Sequence, residues 1–310
     1  MSIIEKALDK ALERDQFPLT PKAERGESSA DEAARLSQPN PAPIAPKAAA
    51  EPERTRKNIV IDWAGLKARG MLVPEMAASQ LAEEYRVIKR PLLMNAFPEA
   101  DNGIERANLI LVTSSVPGEG KTFTAMNLAL SIAMERDKTV LLIDADVAKP
   151  SISQLLGIPG DEGLIDLLKD SVRFSEVAVK TDVPSLTIMP AGKQDRHSTE
   201  LLASDSMKRL ARELSARYPD RVVIFDSPPL LAATQGSVLA ALVGQVVLVV
   251  EADTTPQHIV QESISKLDGC DVVGCVLNKT KKGLGFKYYG YGYGYGYGYG
   301  YYGQQQKTEE

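Results

Sequence analysis

Between residues 107 and 280, short apolar runs alternate with segments whose apolar positions recur every three or four residues. The runs fall at 109–115, 139–146, 185–190, 221–226, 245–251 and 272–278 and are rich in Val, Ile and Leu. Several are continuous, as expected of parallel strands covered on both faces. Segments 120–134, 199–217, 235–243 and 255–267 carry helical spacing. This alternation predicts an α/β fold with a doubly wound, mostly parallel sheet. Upstream, 74–96 also reads as helix, opening at Pro74, with apolar residues at Leu81, Tyr85, Ile88 and Leu92. Pro91 should end or kink it.

The flanks have other patterns. In 1–14, Ile3, Ile4, Ala7, Leu8, Ala11 and Leu12 share one helical face, which predicts an amphipathic docking helix. Residues 15–57 are rich in Pro, Ala, Glu and Ser and predict a disordered linker. Asn58 to Trp63 reads as a short extended piece that rejoins the fold, with Trp63 packing against it. The folded domain is therefore placed at 58–282, followed by a flexible tail at 283–310. That tail holds Tyr288, Tyr289, Tyr291, Tyr293, Tyr295, Tyr297, Tyr299, Tyr301 and Tyr302, mostly alternating with glycine. Alternating glycine disfavours helix and weakens any strand.

Composition narrows the classes. A net charge of −5 argues against nucleic acid as the main partner. Cys270 and Cys275 lack metal-ligand spacing, and only two histidines accompany them, so the cysteines read as buried or inert thiols of a reducing compartment. No apolar run approaches the roughly 18–20 residues of a membrane span. The charged stretch from Met1 to Arg14 has no signal core. A cytoplasmic protein is expected, with any membrane role arising through a partner.

The chemistry centres on Thr113-Ser114-Ser115-Val116-Pro117-Gly118-Glu119-Gly120-Lys121-Thr122, between an apolar strand and a helix. Such a P-loop aims backbone N–H groups and a helix N-terminus at one phosphate. Pro117, Gly118, Glu119, Gly120, Lys121, Thr122 and Phe123 are the candidate nucleotide-binding segment. Ser115 replaces the first glycine of the usual pattern, and a plain βα turn is the bland alternative. Two further apolar runs end in Asp144-Ala145-Asp146 and in Asp226-Ser227-Pro228-Pro229. Ligand groups gather at the carboxyl ends of parallel strands, so Lys121, Thr122, Asp144, Asp146 and Asp226 should converge. Thr122, Asp146 and Asp226 would suit a magnesium ion beside ATP phosphates. Single acids after strands also occur as helix caps, so the set carries the argument rather than any member.

Together these motifs and the terminal tyrosines resemble the bacterial tyrosine kinases, over about residues 75–302. The resemblance implies a P-loop NTPase fold and ATP-dependent autophosphorylation of the tyrosine cluster. It assigns Lys121, Asp144, Asp146 and Asp226 catalytic roles, with Asp146 favoured as base over Asp144. Asn278 resembles an adenine-contacting asparagine, although an ordinary turn residue explains it equally well. Glu83, Arg86 and Lys89 resemble a helix that mediates ring-like self-association, with Lys89 where the family has arginine. The alternative there is a solvated charged face. The charged opening and the Pro/Ala linker resemble stand-alone kinases of exopolysaccharide and exosortase systems. That implies a membrane polysaccharide co-polymerase as activator and a tyrosine phosphatase as antagonist. The competing reading is a switch ATPase of the partition or division-site type. Its signature lysine is absent, since Val116 stands there.

Overall fold

In the computed structural model, residues 58–158 and 162–281 are described. The predicted docking helix, the linker and the tyrosine-rich tail lie outside them. The seven strands are β1 (Leu109–Ser114), β2 (Thr139–Asp144), β3 (Val179–Lys180), β4 (Leu186–Met189), β5 (Arg221–Asp226), β6 (Gln245–Glu251) and β7 (Val272–Asn278). They form one sheet in the order β3-β4-β2-β5-β1-β6-β7. Every pairing is parallel except that of β3 with β4. The predicted doubly wound sheet is thus present, with its direction switching at β1.

The central strands are buried on both faces, and their side chains alternate between two cores. Ile110 and Val112 of β1, with Val222 and Ile224 of β5, enter one core. Leu109 and Leu111, with Val223 and Phe225, enter the other. This two-sided burial is why the sequence shows continuous rather than alternating apolar runs.

The helices, in chain order, are α1 (Trp63–Ala68), α2 (Gln80–Ala96), α3 (Lys121–Ala133), α4 (Ser151–Leu155), α5 (Leu164–Leu168), α6 (Phe174–Val177), α7 (Ser198–Leu202), α8 (Asp205–Arg217), α9 (Gln235–Ala240) and α10 (Gln257–Ser265). Helix α3 is buried around its circumference from Thr124 to Ala133, as its largely apolar sequence requires, with Thr124, Asn127 and Ser131 as buried polar exceptions. The segment predicted as one helix over 199–217 is two helices, because Ser204 breaks it. The Ser204 hydroxyl accepts from the Met207 N–H and caps α8.

Pro91 does not end the helix: α2 runs through it to Ala96. Pro91 is exposed, so the lost hydrogen bond falls on the solvent side. Beyond it the helix is pinned, with Gln245 accepting from Asn95 at 2.9 Å and donating to the Leu92 carbonyl at 3.0 Å. The start also differs from prediction. Pro74–Met76 is a separate 3₁₀ turn, and Ser79 caps α2. The Asn58–Trp63 stretch does rejoin the fold: Ile59 donates to the Lys180 carbonyl, and the Trp63 indole donates to Asp182 at 3.0 Å.

Candidate active site

The phosphate loop follows from local backbone demands. Gly118 and Gly120 have φ of 93° and 99°, a region that favours glycine. A Cβ on Gly120 would also lie 2.1 Å from Asn278 Nδ2. Helix α3 begins directly after, and its first bond runs from the Thr124 N–H to the Gly120 carbonyl. The N–H groups of Lys121, Thr122 and Phe123 therefore have no carbonyl partner within the helix, and the helix dipole is positive there. An anion is the natural occupant of such an end.

Around this end the structure brings together the predicted charged set. Lys121 Nζ lies 2.7 Å from Asp146 Oδ2 and 3.8 Å from Asp226 Oδ1. The Thr122 hydroxyl donates to Asp226 Oδ2 at 2.6 Å. Asp144 sits deeper, accepting from the Ile152 and Ser153 amides at the start of α4. Asp146 Oδ1 accepts from the Lys149 amide at 3.1 Å. Burial, then the neighbouring Asp226, pushes the Asp144 carboxyl up to about 7. Burial pushes Asp226 up to about 6, against the opposing pull of Lys121 and Thr122. Burial alone would lower Lys121, but Asp226 and Asp146 outweigh it and hold the ammonium above its ordinary value. Three acids thus share one cation, which leaves the pocket short of positive charge.

That deficit is consistent with a bound cation. Asp144 Oδ1 and Asp226 Oδ1 are buried without a hydrogen-bond partner. Asp226, in contact with the Thr122 hydroxyl and sharing Lys121 with Asp146, offers with that hydroxyl and Asp146 an all-oxygen donor set, which fits Mg²⁺. Among the described residues no group of three or more acid, His or Cys side chains is placed to hold a metal alone. A magnesium ion here would complete its shell with phosphate oxygens and water.

The surroundings add side-chain roles that sequence reasoning missed. Glu119, whose backbone belongs to the phosphate loop, turns its side chain inward and is 1% exposed. Its carboxylate accepts from the Val116 amide at 2.8 Å, the Thr255 hydroxyl at 2.5 Å and the Glu251 amide at 3.3 Å. It braces the loop against the end of β6. Lys279 donates to the Gly118 carbonyl at 2.7 Å and to Glu251 at 2.8 Å. Asn278 donates to the Glu119 carbonyl at 2.8 Å. The adjacency of Lys279 to Asn278 was visible in the sequence; the carbonyls they reach were not. Asn278 and Phe123 do share a groove of about 430 Å³, floored by Tyr85 and Val276. It adjoins the phosphate loop and is large enough for a purine.

The proposed self-association stripe separates into two environments. Glu83 is exposed and Arg86 half-buried; they pair with each other, and Arg86 also donates to the Ala77 carbonyl. Lys89 is buried, donating to the Ser131 carbonyl at 2.7 Å and pairing with Glu135 at 2.5 Å. Lys89 thus ties α2 to α3 and does not stand in an exposed stripe. Its spacing put it in line with Arg86, but the packing of α2 on α3 turned that side inward. Cys275 is likewise exposed rather than buried, because β7 is an edge strand. The nine tail tyrosines lie outside the described residues.

The fold and the loop define the class: an α/β nucleotide-binding domain with a P-loop. A profile of the AAA domain matches residues 107–267. The tyrosine-protein kinase YwqD of Bacillus subtilis is 32% identical over 213 residues, covering 67% of this chain and 86% of that protein. The putative tyrosine-protein kinase CapB of Staphylococcus aureus is 30% identical, with 71% and 95% covered. Several longer tyrosine-protein kinases match over only about a quarter of their length. The crystal structure of the chimerical protein CapA2B2 superposes with a TM-score of 0.61 at 25% identity, covering 73% of this chain and 94% of that one. The chain belongs to the bacterial tyrosine kinase family.

Proposed function

We propose that the chain is a tyrosine autokinase that uses ATP and Mg²⁺ to phosphorylate Tyr288–Tyr302 of its own tail. The observation that carries this reading is the placement of Lys121 against Asp146 and Asp226 at the mouth of the phosphate loop. The N–H groups of the loop and of the first turn of α3, with the Lys121 ammonium, would hold the β- and γ-phosphates. Thr122 and Asp226, with Asp146 in reach through water, would hold Mg²⁺, which when bound neutralises charge on the phosphates. Lys121 leaves Asp146 for the phosphate, freeing Asp146 Oδ2. That oxygen then accepts the proton of the attacking tyrosine hydroxyl. The tyrosine oxygen bonds to the γ-phosphorus, the bond to the bridging oxygen breaks, and ADP departs. The base-sized groove at Phe123 and Asn278 supports a place for adenine.

Transfer in trans within a homo-oligomer, assembled through Glu83 and Arg86 on the outer side of α2, is part of this reading. So are a cytoplasmic location at the inner face of the membrane, activation by a polysaccharide co-polymerase, reversal by a tyrosine phosphatase and a role in exopolysaccharide output. Among the described residues, no helix is long and apolar enough to cross a membrane.

The test is to incubate wild type and Lys121→Met with ATP and magnesium and map the phosphopeptides. Label on Tyr288–Tyr302 in the wild type, reduced at least about 100-fold in the variant, is expected. An unlabelled wild type overturns the reading, and ATP hydrolysis without label points to the switch ATPase.

A further inference from the structure

A second cleft lies away from the phosphate loop, between the C-terminal half of α2 and the turn that follows α3. Its volume is also about 430 Å³. Four cations, Arg86, Lys89, Arg90 and Lys138, line it against a single carboxylate, Glu135. This is a locally basic site on a chain whose net charge is −5. Lys89 and Arg86 are already paired with Glu135 and Glu83. Arg90 is exposed and has no partner among the described residues. Lys138 pairs with Asp137 at 3.1 Å, an exposed contact that a phosphate would have to displace, and its ammonium lies 4.4 Å from the centre of the Phe97 ring. Between these cations the wall is apolar: Leu93, Phe97 and Met94, the last 68% exposed.

A ligand that fits this wall needs an anionic head for Arg90 and Lys138 and a flat apolar body for Met94 and Phe97. Phosphotyrosine has both, and arginine recognises its dianion with two parallel hydrogen bonds. The chain's own 283–310 tail supplies nine tyrosines. We propose that this cleft is a phosphotyrosine-binding site whose occupant is the chain's phosphorylated tail. The tail's identity as occupant rests on the autokinase reading; the cleft's chemistry does not. Because Arg86 lies on the rim, a docked phosphotyrosine would compete with self-association through α2. Phosphorylation would then act by occupancy, with repeated tyrosines raising the local concentration of ligand.

The test uses the full chain, without ATP, and a synthetic peptide Gly-pTyr-Gly-pTyr-Gly, so it is independent of kinase activity. Binding is followed by titration calorimetry. The expected result is saturable binding of the phosphopeptide, at least tenfold weaker for its unphosphorylated twin. Arg90→Ala, at an exposed position, and Lys138→Ala, at a half-buried one, should each weaken it at least tenfold, with a thermal melt showing that Lys138→Ala is folded. Equal binding of both peptides overturns the proposal, as does phosphopeptide binding that survives both substitutions. Binding only to phosphatidylglycerol vesicles, with none to the phosphopeptide, would make the cleft a membrane contact and also overturn it.

Discussion

Glu119 shows how a side chain governs a loop without facing the ligand. Its buried carboxylate satisfies two backbone amides and one hydroxyl at once. Removing it strands buried donors, each at a cost of about 1–3 kcal/mol. Glu119→Ala should therefore lower the melting temperature and raise KM for ATP about tenfold, with a smaller change in kcat. Glu119→Gln, which keeps one acceptor and offers a donor to Thr255, should recover most of both; steady-state kinetics and thermal melts of the two variants check this. Asp144 makes a second, pH-dependent case. Its folded pKa of about 7 lies above the ordinary carboxylate value, so between about pH 4 and 7 the folded state binds more protons than the unfolded one. Its contribution is present at low pH and is lost as pH rises through 7, opposite in sense to a salt-bridged acid. Asp226, at about 6, acts in the same direction. Asp144→Asn should thus match wild type near pH 4 and become more stable by up to roughly 4 kcal/mol at pH 8 in nucleotide-free protein. Melts across that range that show a constant difference would remove Asp144 as the cause.

At the scale of elements, α2 joins two jobs that the sequence does not separate. Lys89 fixes the helix to α3, whereas Glu83 and Arg86 face outward. Lys89→Ala should cost about 1–2 kcal/mol of stability by stranding Glu135 and the Ser131 carbonyl. Arg86→Ala, which loses an exposed ion pair and the bond to the Ala77 carbonyl, should cost about 1 kcal/mol, less than Lys89→Ala, yet reduce self-association. Thermal melts beside sedimentation velocity separate the two, and a large loss of stability in Arg86→Ala would contradict the division. The spacing Glu83, Arg86, Lys89 was legible; which side of α2 meets α3 was not, because burial depends on residues about 40 positions downstream. The same limit explains the other differences. The main strands were readable because two-sided burial writes itself as continuous Val, Ile and Leu. The site acids were readable because parallel strands deliver them to one edge. Two-residue β3 and the short α4, α5 and α6 are held by tertiary contacts and leave too little periodicity. The amides of α4 that hold Asp144 were hidden for that reason. The role of Glu119 was hidden because it depends on Thr255, over a hundred residues away.

For the whole molecule, the decisive quantity is charge. The chain carries −5, and each phosphotyrosine adds roughly −1.5 to −2. Nine modified tyrosines would add about −14 to −18, concentrated in one short segment. Tails gathered in an oligomer would repel one another, and over distances beyond about 8–10 Å salt would screen that repulsion. Occupancy of the basic cleft beside Arg86 offers a second route to the same end, acting on the contact itself. Both predict that phosphorylated protein sediments as smaller species than unmodified protein. If the two forms sediment identically as the same oligomer, neither route operates. Arg90→Ala separates them, since it removes the guanidinium that would bind phosphate and leaves the tail charge untouched. Should repulsion dominate, phosphorylated Arg90→Ala dissociates as wild type does. Should capture by the cleft dominate, it stays assembled, because the phosphotyrosines then have no site on α2 from which to displace a neighbouring copy.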